Sequence, residues 1–194
     1  MSDRRMSRSC PCLTNEESTG FAQARNGTLY SATIVNDDNK RNNAYFILYN
    51  PLHSMKTMYI RQIVHTNTSD DPVLVKAYCN CCDMLPKTAE RSYRITNNNT
   101  AYCDVPATAH LYHGTNIPCI NNTPMLEYAV KSYENFVNEV DGTIILAPGS
   151  YYIEVTTGFA PTCNGNQISS ISWWEQPIRS CCCQSVDVNS ASCG

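Results

Sequence analysis

Short runs of β-branched and aromatic residues, each stopped by a cluster of Asn, Asp, Pro or Gly, punctuate this chain from residue 28 to residue 175. Runs at 28–35 (TLYSATIV), 44–49 (AYFILY), 57–66 (TMYIRQIVHT) and 73–79 (VLVKAYC) are separated by turn residues at 36–43, 50–51 and 67–72. Val, Ile, Thr and Tyr suit a pleated, half-buried surface, and Asn-Pro or Asp-Pro steps interrupt it. The second half continues in the same manner. Segments 92–95 and 101–103 flank an Asn-rich turn, 143–146 (TIIL) leads into Ala147-Pro148-Gly149-Ser150, 151–157 (YYIEVTT) alternates, and 168–175 (ISSISWWE) is a last strand. Strands at this spacing predict an all-β chain, an antiparallel sandwich or barrel.

One stretch is ambiguous. Between 125 and 140, Leu126, Ala129, Val130, Tyr133, Phe136, Val137 and Val140 follow helical spacing, while Leu126, Tyr128 and Val130 follow strand spacing. Periodicity alone does not separate the two over short apolar runs. A strand is expected at 126–130, and a short helix over 133–140 stays open.

The length fits one domain and is enough to bury a core without covalent staples. Charged residues make up 16% of the chain, against about 25% in typical domains. Asparagine takes their place, clustered at 42–43, 97–99 and 121–122, which is turn chemistry rather than helix-surface chemistry. The expected organisation is an N-terminal connector arm at 1–18, a sandwich domain at 19–178 and a Cys-rich tail at 179–194. Net charge is −3 and the pI about 5.8. Only Arg4, Arg5 and Arg8 gather positive charge, too little for a nucleic-acid surface. No run reaches the ~18 apolar residues of a membrane span, and residues 1–15 carry no signal-peptide core. A chain made in the cytoplasm and released by another route is expected.

Twelve cysteines stand out in such a chain. Cys10 and Cys12 lie in the N-terminal arm, and Cys181, Cys182, Cys183 and Cys193 in the C-terminal tail. Cys79, Cys81, Cys82, Cys103, Cys119 and Cys163 lie in the body and are candidates for disulfides there. Cysteines on arms can reach outside their own subunit, so the six terminal ones are candidates for links between chains. A metal is not expected. Structural zinc wants two spaced ligand pairs, and adjacent cysteines do not point into one tetrahedron. His110 and His113 would face opposite sides of a strand. The Cys79-x-x-Cys82 frame runs into Pro86 instead of a helix, which argues against a thiol oxidoreductase.

No cofactor and no catalysis are expected. There is no G-x-S-x-G, no H-E-x-x-H and no phosphate-binding glycine loop. Glu127, Glu134, Glu139, Glu154 and Glu175 are scattered singly and read as solvated faces and turn residues. Trp173 and Trp174 form the densest aromatic feature; alternation turns one inward and one outward, as a core residue and a subunit-interface residue, with sugar stacking by the outer ring as the alternative. Sequons at Asn26, Asn67, Asn98 and Asn121 are what an Asn-rich chain yields by chance.

The order of Tyr45-Phe46-Ile47-Leu48-Tyr49-Asn50-Pro51 with Ser54, then Thr66-Asn67-Thr68-Ser69 before Pro72, resembles a group of β-sandwich proteins from spore-forming Firmicutes. So does the end, Asp141-Gly142, Pro148-Gly149-Ser150 and Trp173-Trp174-Glu175. The Cys-bearing tails are similar to those of the endospore appendage (Ena-type) pilins. That resemblance implies a jelly-roll subunit without a signal peptide, whose N-terminal connector forms disulfides with neighbouring subunits; Cys10 and Cys12 would match it. The family's connector carries an adjacent Cys pair where this chain has Cys-Pro-Cys, and the run Cys181–Cys183 has no counterpart there.

The expected function is therefore a structural subunit of an extracellular, disulfide-crosslinked fibre on the spore surface. It would be a homo-oligomeric helical filament built by strand augmentation, with a spore-surface anchor protein as a further partner. A crosslinking protein of the spore coat or exosporium, and a secreted carbohydrate-binding adhesive sandwich, are the alternatives.

Overall fold

A computed structural model describes residues 19–36, 43–79, 95–102, 104–115, 120, 122–159 and 165–178. After a short helix α1 (Thr19–Arg25), the chain forms β1 (Leu29–Asn36), β2 (Asn43–Tyr49), β3 (Lys56–Asn67), β4 (Val73–Cys79) and β5 (Thr96–Asn97). It continues through β6 (His110–Gly114), β7 (Leu126–Val130), β8 (Glu134–Leu146), β9 (Tyr151–Gly158) and β10 (Gln167–Pro177). Both expected arms lie outside the described residues.

Two antiparallel five-stranded sheets result, in the orders β5-β1-β10-β3-β8 and β6-β2-β9-β4-β7. Without the short edge strands β5 and β6, two four-stranded sheets remain, β1-β10-β3-β8 facing β2-β9-β4-β7. The chain steps from one sheet to the other at nearly every connection. This is the jelly-roll order, two Greek keys folded face to face.

The sequence explains the layers. In β4 the apolar residues Val73, Val75 and Ala77 alternate with half-exposed Leu74 and Lys76. In β2 and β9 there is no alternation, because both faces are covered. Phe46, Leu48 and Tyr152 join the core between the sheets, with Met58, Ile60, Ile63, Leu146 and Trp173. Tyr45, Ile47, Tyr151, Ile153 and Val155 form a second cluster on the outer side of the same sheet. Burying each such side chain is worth roughly 1.5–3 kcal/mol, so these two strands anchor the fold.

A bulge in β3 sets its parity. Pairing with β10 passes from Ile60↔Trp173 to Gln62↔Ser172, and pairing with β8 from Ile60↔Ile144 to Gln62↔Glu139. Arg61 is the extra residue against β10, whereas against β8 the surplus lies on β8, where residues 140–143 stand opposite Arg61 alone. Inward positions thus run Met58, Ile60, Ile63, His65, Asn67 instead of keeping strict alternation.

The strands expected at 28–35, 44–49, 57–66, 73–79, 126–130, 151–157 and 168–175 correspond to β1, β2, β3, β4, β7, β9 and β10. The helix left open over 133–140 is not there. Residues 134–140 are extended and continue into the segment expected at 143–146, giving the single thirteen-residue strand β8. Tyr133 ends the preceding turn at φ 55°, which starts a strand instead of a helix. Asp141 and Gly142, at φ 40° and 83°, let β8 bulge and carry on. Ala101 and Tyr102 lie in a 3-10 turn (Thr100–Tyr102), not in a strand, because Asn99 Oδ1 accepts from Ala101 N–H at 2.9 Å and holds the turn. The helix α1 was not expected; Asn99 Nδ2 donates to its last carbonyls, Ala24 O at 3.0 Å and Arg25 O at 3.1 Å.

Candidate functional site

Three features can carry function: a buried polar cluster between the sheets, a carboxylate knot at one end, and the open edge of β8.

The cluster gathers residues from four strands. His65 (β3) and Ser169 (β10) project from one sheet, Glu154 and Tyr152 (β9) and Tyr128 (β7) from the other. His65 and Glu154 are both 0% exposed. Ser169 Oγ donates to Glu154 Oε1 at 3.1 Å, and His65 Nδ1 lies 3.0 Å from that hydroxyl and 3.4 Å from the same carboxylate oxygen. Tyr152 and Tyr128 donate to Glu154 Oε2 at 3.2 and 3.4 Å. Burial, and then the Glu154 charge, push both phenols well above their ordinary pKa. They remain donors, as a carboxylate taken out of water requires.

Ser, His and Glu in contact invite comparison with a hydrolytic triad. A triad uses the two imidazole nitrogens for different partners, one for the nucleophile and one for the acid. Here Ser169 and Glu154 crowd the same nitrogen, and His65 Nε2 has no hydrogen-bond partner among the described residues. The hydroxyl already gives its proton to Glu154. The arrangement pins the two sheets together and lacks the relay geometry of acyl transfer.

The knot is built around Glu175, which is 1% exposed. Its Oε2 meets Lys56 Nζ at 2.8 Å. Its Oε1 accepts from Thr108 N–H at 2.8 Å, Ala109 N–H at 3.1 Å and Trp173 Nε1–H at 3.3 Å. The end of β10 is thereby tied to the start of β3 and to the segment entering β6 of the opposite sheet. Glu154 and Glu175 overturn the reading of isolated carboxylates as solvated: each is buried and saturated with donors.

The edge is the third feature. β8 pairs with β3 on one side, and among the described residues no strand pairs with its other side. Glu134, Asn135, Val137, Glu139, Asp141, Thr143 and Ile145 are exposed along it. A long edge strand without a partner is a template for another strand, here in two stretches on either side of the bulge at Asp141 and Gly142.

Of the residues singled out by sequence, Trp173 and Trp174 point to opposite sides of their sheet, as alternation requires. Trp173 stacks on Tyr30 with centroids 6.0 Å apart. Trp174 is only 4% exposed, because Tyr59 stacks on it at 5.3 Å and Gly142 lies against its ring. Cys79 closes β4 half-buried, its Sγ 3.3 Å from Met125 Sδ. Cys10, Cys12, Cys81, Cys82, Cys103, Cys119, Cys163, Cys181, Cys182, Cys183 and Cys193 lie outside the described residues. His110 and His113 both fall in β6. Among the described residues no group of three or more His, Cys, Asp or Glu could hold a metal ion, and no helix is long and apolar enough to cross a membrane. At the sequon of Asn67 the side chain is buried, and its Nδ2 donates to Asp71 O at 2.8 Å and Lys131 O at 3.1 Å.

Sequence reasoning missed His65, Glu154, Ser169 and Glu175. The signal for Glu154 was present: Tyr152, Glu154 and Thr156 share one face of β9.

No curated protein and no solved structure matches the chain. Residues 26–180, which span the whole sandwich, match a protein family described as of unknown function, and the chain belongs to that family, DUF6143.

Proposed function

We propose that this chain is a structural subunit that assembles with copies of itself into a disulfide-crosslinked extracellular fibre. The observation that carries the reading is the open, thirteen-residue edge of β8. An added strand there would extend one sheet of the sandwich by backbone hydrogen bonds. The exposed charges along the edge, Glu134, Glu139 and Asp141, are all acidic. Pairing of β8 with β8 about a twofold axis would oppose like charges, so a heterologous contact is favoured, and a heterologous contact that does not close grows a filament. Disulfides from the arm cysteines, Cys10, Cys12, Cys181, Cys182, Cys183 and Cys193, would then lock the assembly, since reversing them takes reduction and not dilution.

The buried cluster supports a non-enzymatic reading, because Ser169 and Glu154 share one nitrogen of His65. The covered ring of Trp174 weighs against an adhesin that stacks sugars on it. Assembly at the spore surface, with an anchor protein there, belongs to the same reading.

The test uses the full chain, purified reduced and then oxidised. Expected are filaments in negative-stain electron microscopy and a ladder on non-reducing gels that collapses to monomer with reductant. Monomer under both conditions overturns the fibre; a ladder with only amorphous material points to a coat crosslinker instead.

A further inference from the structure

Near the end of the sandwich where β1 and β2 are joined lies a cavity of about 20 Å³ between the sheets. Ile34, Ala44, Tyr45 and Phe46 line it, and so do three polar residues, Thr156, Gln167 and Ser169. The register explains the grouping. Ser169 pairs with Ile34 in one sheet, and Thr156 with Ala44 in the other. Gln167 sits two residues before Ser169 on the same inward face of β10.

We propose that this cavity is a binding site for one water molecule, which donates to Gln167 Oε1 and joins it to the hydroxyls of Ser169 and Thr156. Two observations carry the assignment. Gln167 is 7% exposed, and its buried Oε1 has no hydrogen-bond partner among the described residues. A buried amide oxygen left unpaired is costly, and native proteins meet that cost with internal water. The second observation is size. A water needs a cavity of roughly 10–15 Å³ or more and two to four polar partners, and this one has room for a single molecule.

The chemistry excludes other occupants. Three neutral oxygens do not make a cation site, which calls for six or more oxygen ligands in the case of calcium and for carboxylates in the case of magnesium. Glu154 is not among the lining residues, and among the described residues no charge faces the cavity to hold an ammonium ion. The water has a place in the wider structure. Ser169 Oγ already donates to Glu154 and meets His65. Through the water, Gln167 joins that cluster, and the polar contacts between the sheets extend from Tyr128 to the mouth of the cavity.

The test is a high-resolution crystal structure of the full chain, together with water–protein cross-relaxation in NMR. A density peak within hydrogen-bond reach of Gln167 Oε1 and of the Ser169 and Thr156 hydroxyls, with matching cross-peaks at nearby amides, is the expected result. In Gln167→Leu both signals should vanish while the fold persists. If that variant does not fold, Thr156→Val, which keeps the shape, reads the same cross-peaks and should lose them. A wild-type cavity without ordered density, a Gln167 carbonyl bonded to a protein group, or cross-peaks unchanged in both variants would overturn the proposal.

Discussion

The Glu154 carboxylate and the His65 imidazole meet at 3.4 Å across the space between the two sheets, with the Ser169 hydroxyl in contact with both. Each comes from a different strand, so the cluster acts as a rivet through the sandwich. Replacing Glu154 by Gln keeps the volume but turns one oxygen into a donor facing two tyrosine hydroxyls. Such a mismatch is expected to cost about 1–3 kcal/mol, read as a lower midpoint in urea denaturation. Combined with Ser169→Ala, the two losses should be less than additive, as expected for partners in one network. Strictly additive losses would mean the cluster does not act as a unit.

Alkaline pH should weaken the fold through Tyr128 and Tyr152. Burial, then the Glu154 charge, raise both phenols above the ordinary value of 10.0. The unfolded chain gives up these protons first as the pH passes 10. The stabilisation is complete below that value and is lost as the pH rises toward the folded-state pKa. Denaturation midpoints measured from pH 8 to 12 should fall above 10, and Tyr128→Phe or Tyr152→Phe should flatten the decline. An unchanged slope in both variants would rule these residues out as its source.

Lys56 and Glu175 predict an asymmetry. Glu175→Ala strips four donors of their acceptor, Lys56 Nζ and the N–H groups of Thr108, Ala109 and Trp173. Leaving buried N–H donors without an acceptor costs about 1–3 kcal/mol per group. Lys56→Met removes only the half-exposed partner and leaves Glu175 its other three donors, so it should cost less. Equal losses in chemical denaturation would show that the knot is simply an ion pair.

Gly142 is fixed by its neighbour. An added Cβ would lie 2.4 Å from Trp174 Cη2, at a φ of 83° that disfavours side chains. Gly142→Ala should destabilise by about 1–3 kcal/mol and shift the tryptophan emission, because the ring must leave its stack on Tyr59.

The edge of β8 allows a test of assembly apart from folding. Val137 and Ile145 are more than half exposed, so Val137→Lys with Ile145→Lys should change stability by no more than about 0.5 kcal/mol per site. Lysine on an edge discourages pairing. The double variant is expected to stay folded and to form no filaments. Filaments of normal length would move the contact to another surface.

Most strands could be read from the sequence because their punctuation is local: Asn-Pro, Asp-Pro and Pro-Gly stop a strand whatever surrounds it. The polar cluster could not be read, and Arg61 is the reason. Strict alternation from Met58 and Ile60 places Val64 inward and His65 outward, and the bulge reverses that assignment. A bulge depends on two neighbouring strands, which no window of sequence contains. The stretch 133–140 misled for a related cause: its apolar residues satisfy a helical period, and only the turn at Tyr133 and pairing with β3 select the extended form. Glu175 was hidden in another way, since its donors at 108 and 109 come from a distant part of the chain.

Among the described residues β10 is the last strand, yet it lies inside its sheet, between β1 and β3. During synthesis those two strands must therefore wait, each with a bare flank, until residues 167–177 leave the ribosome. A product truncated before residue 167 would lose the central rib of a sheet and not a margin. The cysteines at 181–183 follow that rib directly, so by the time they can react, the strand that closes the sandwich has already been made.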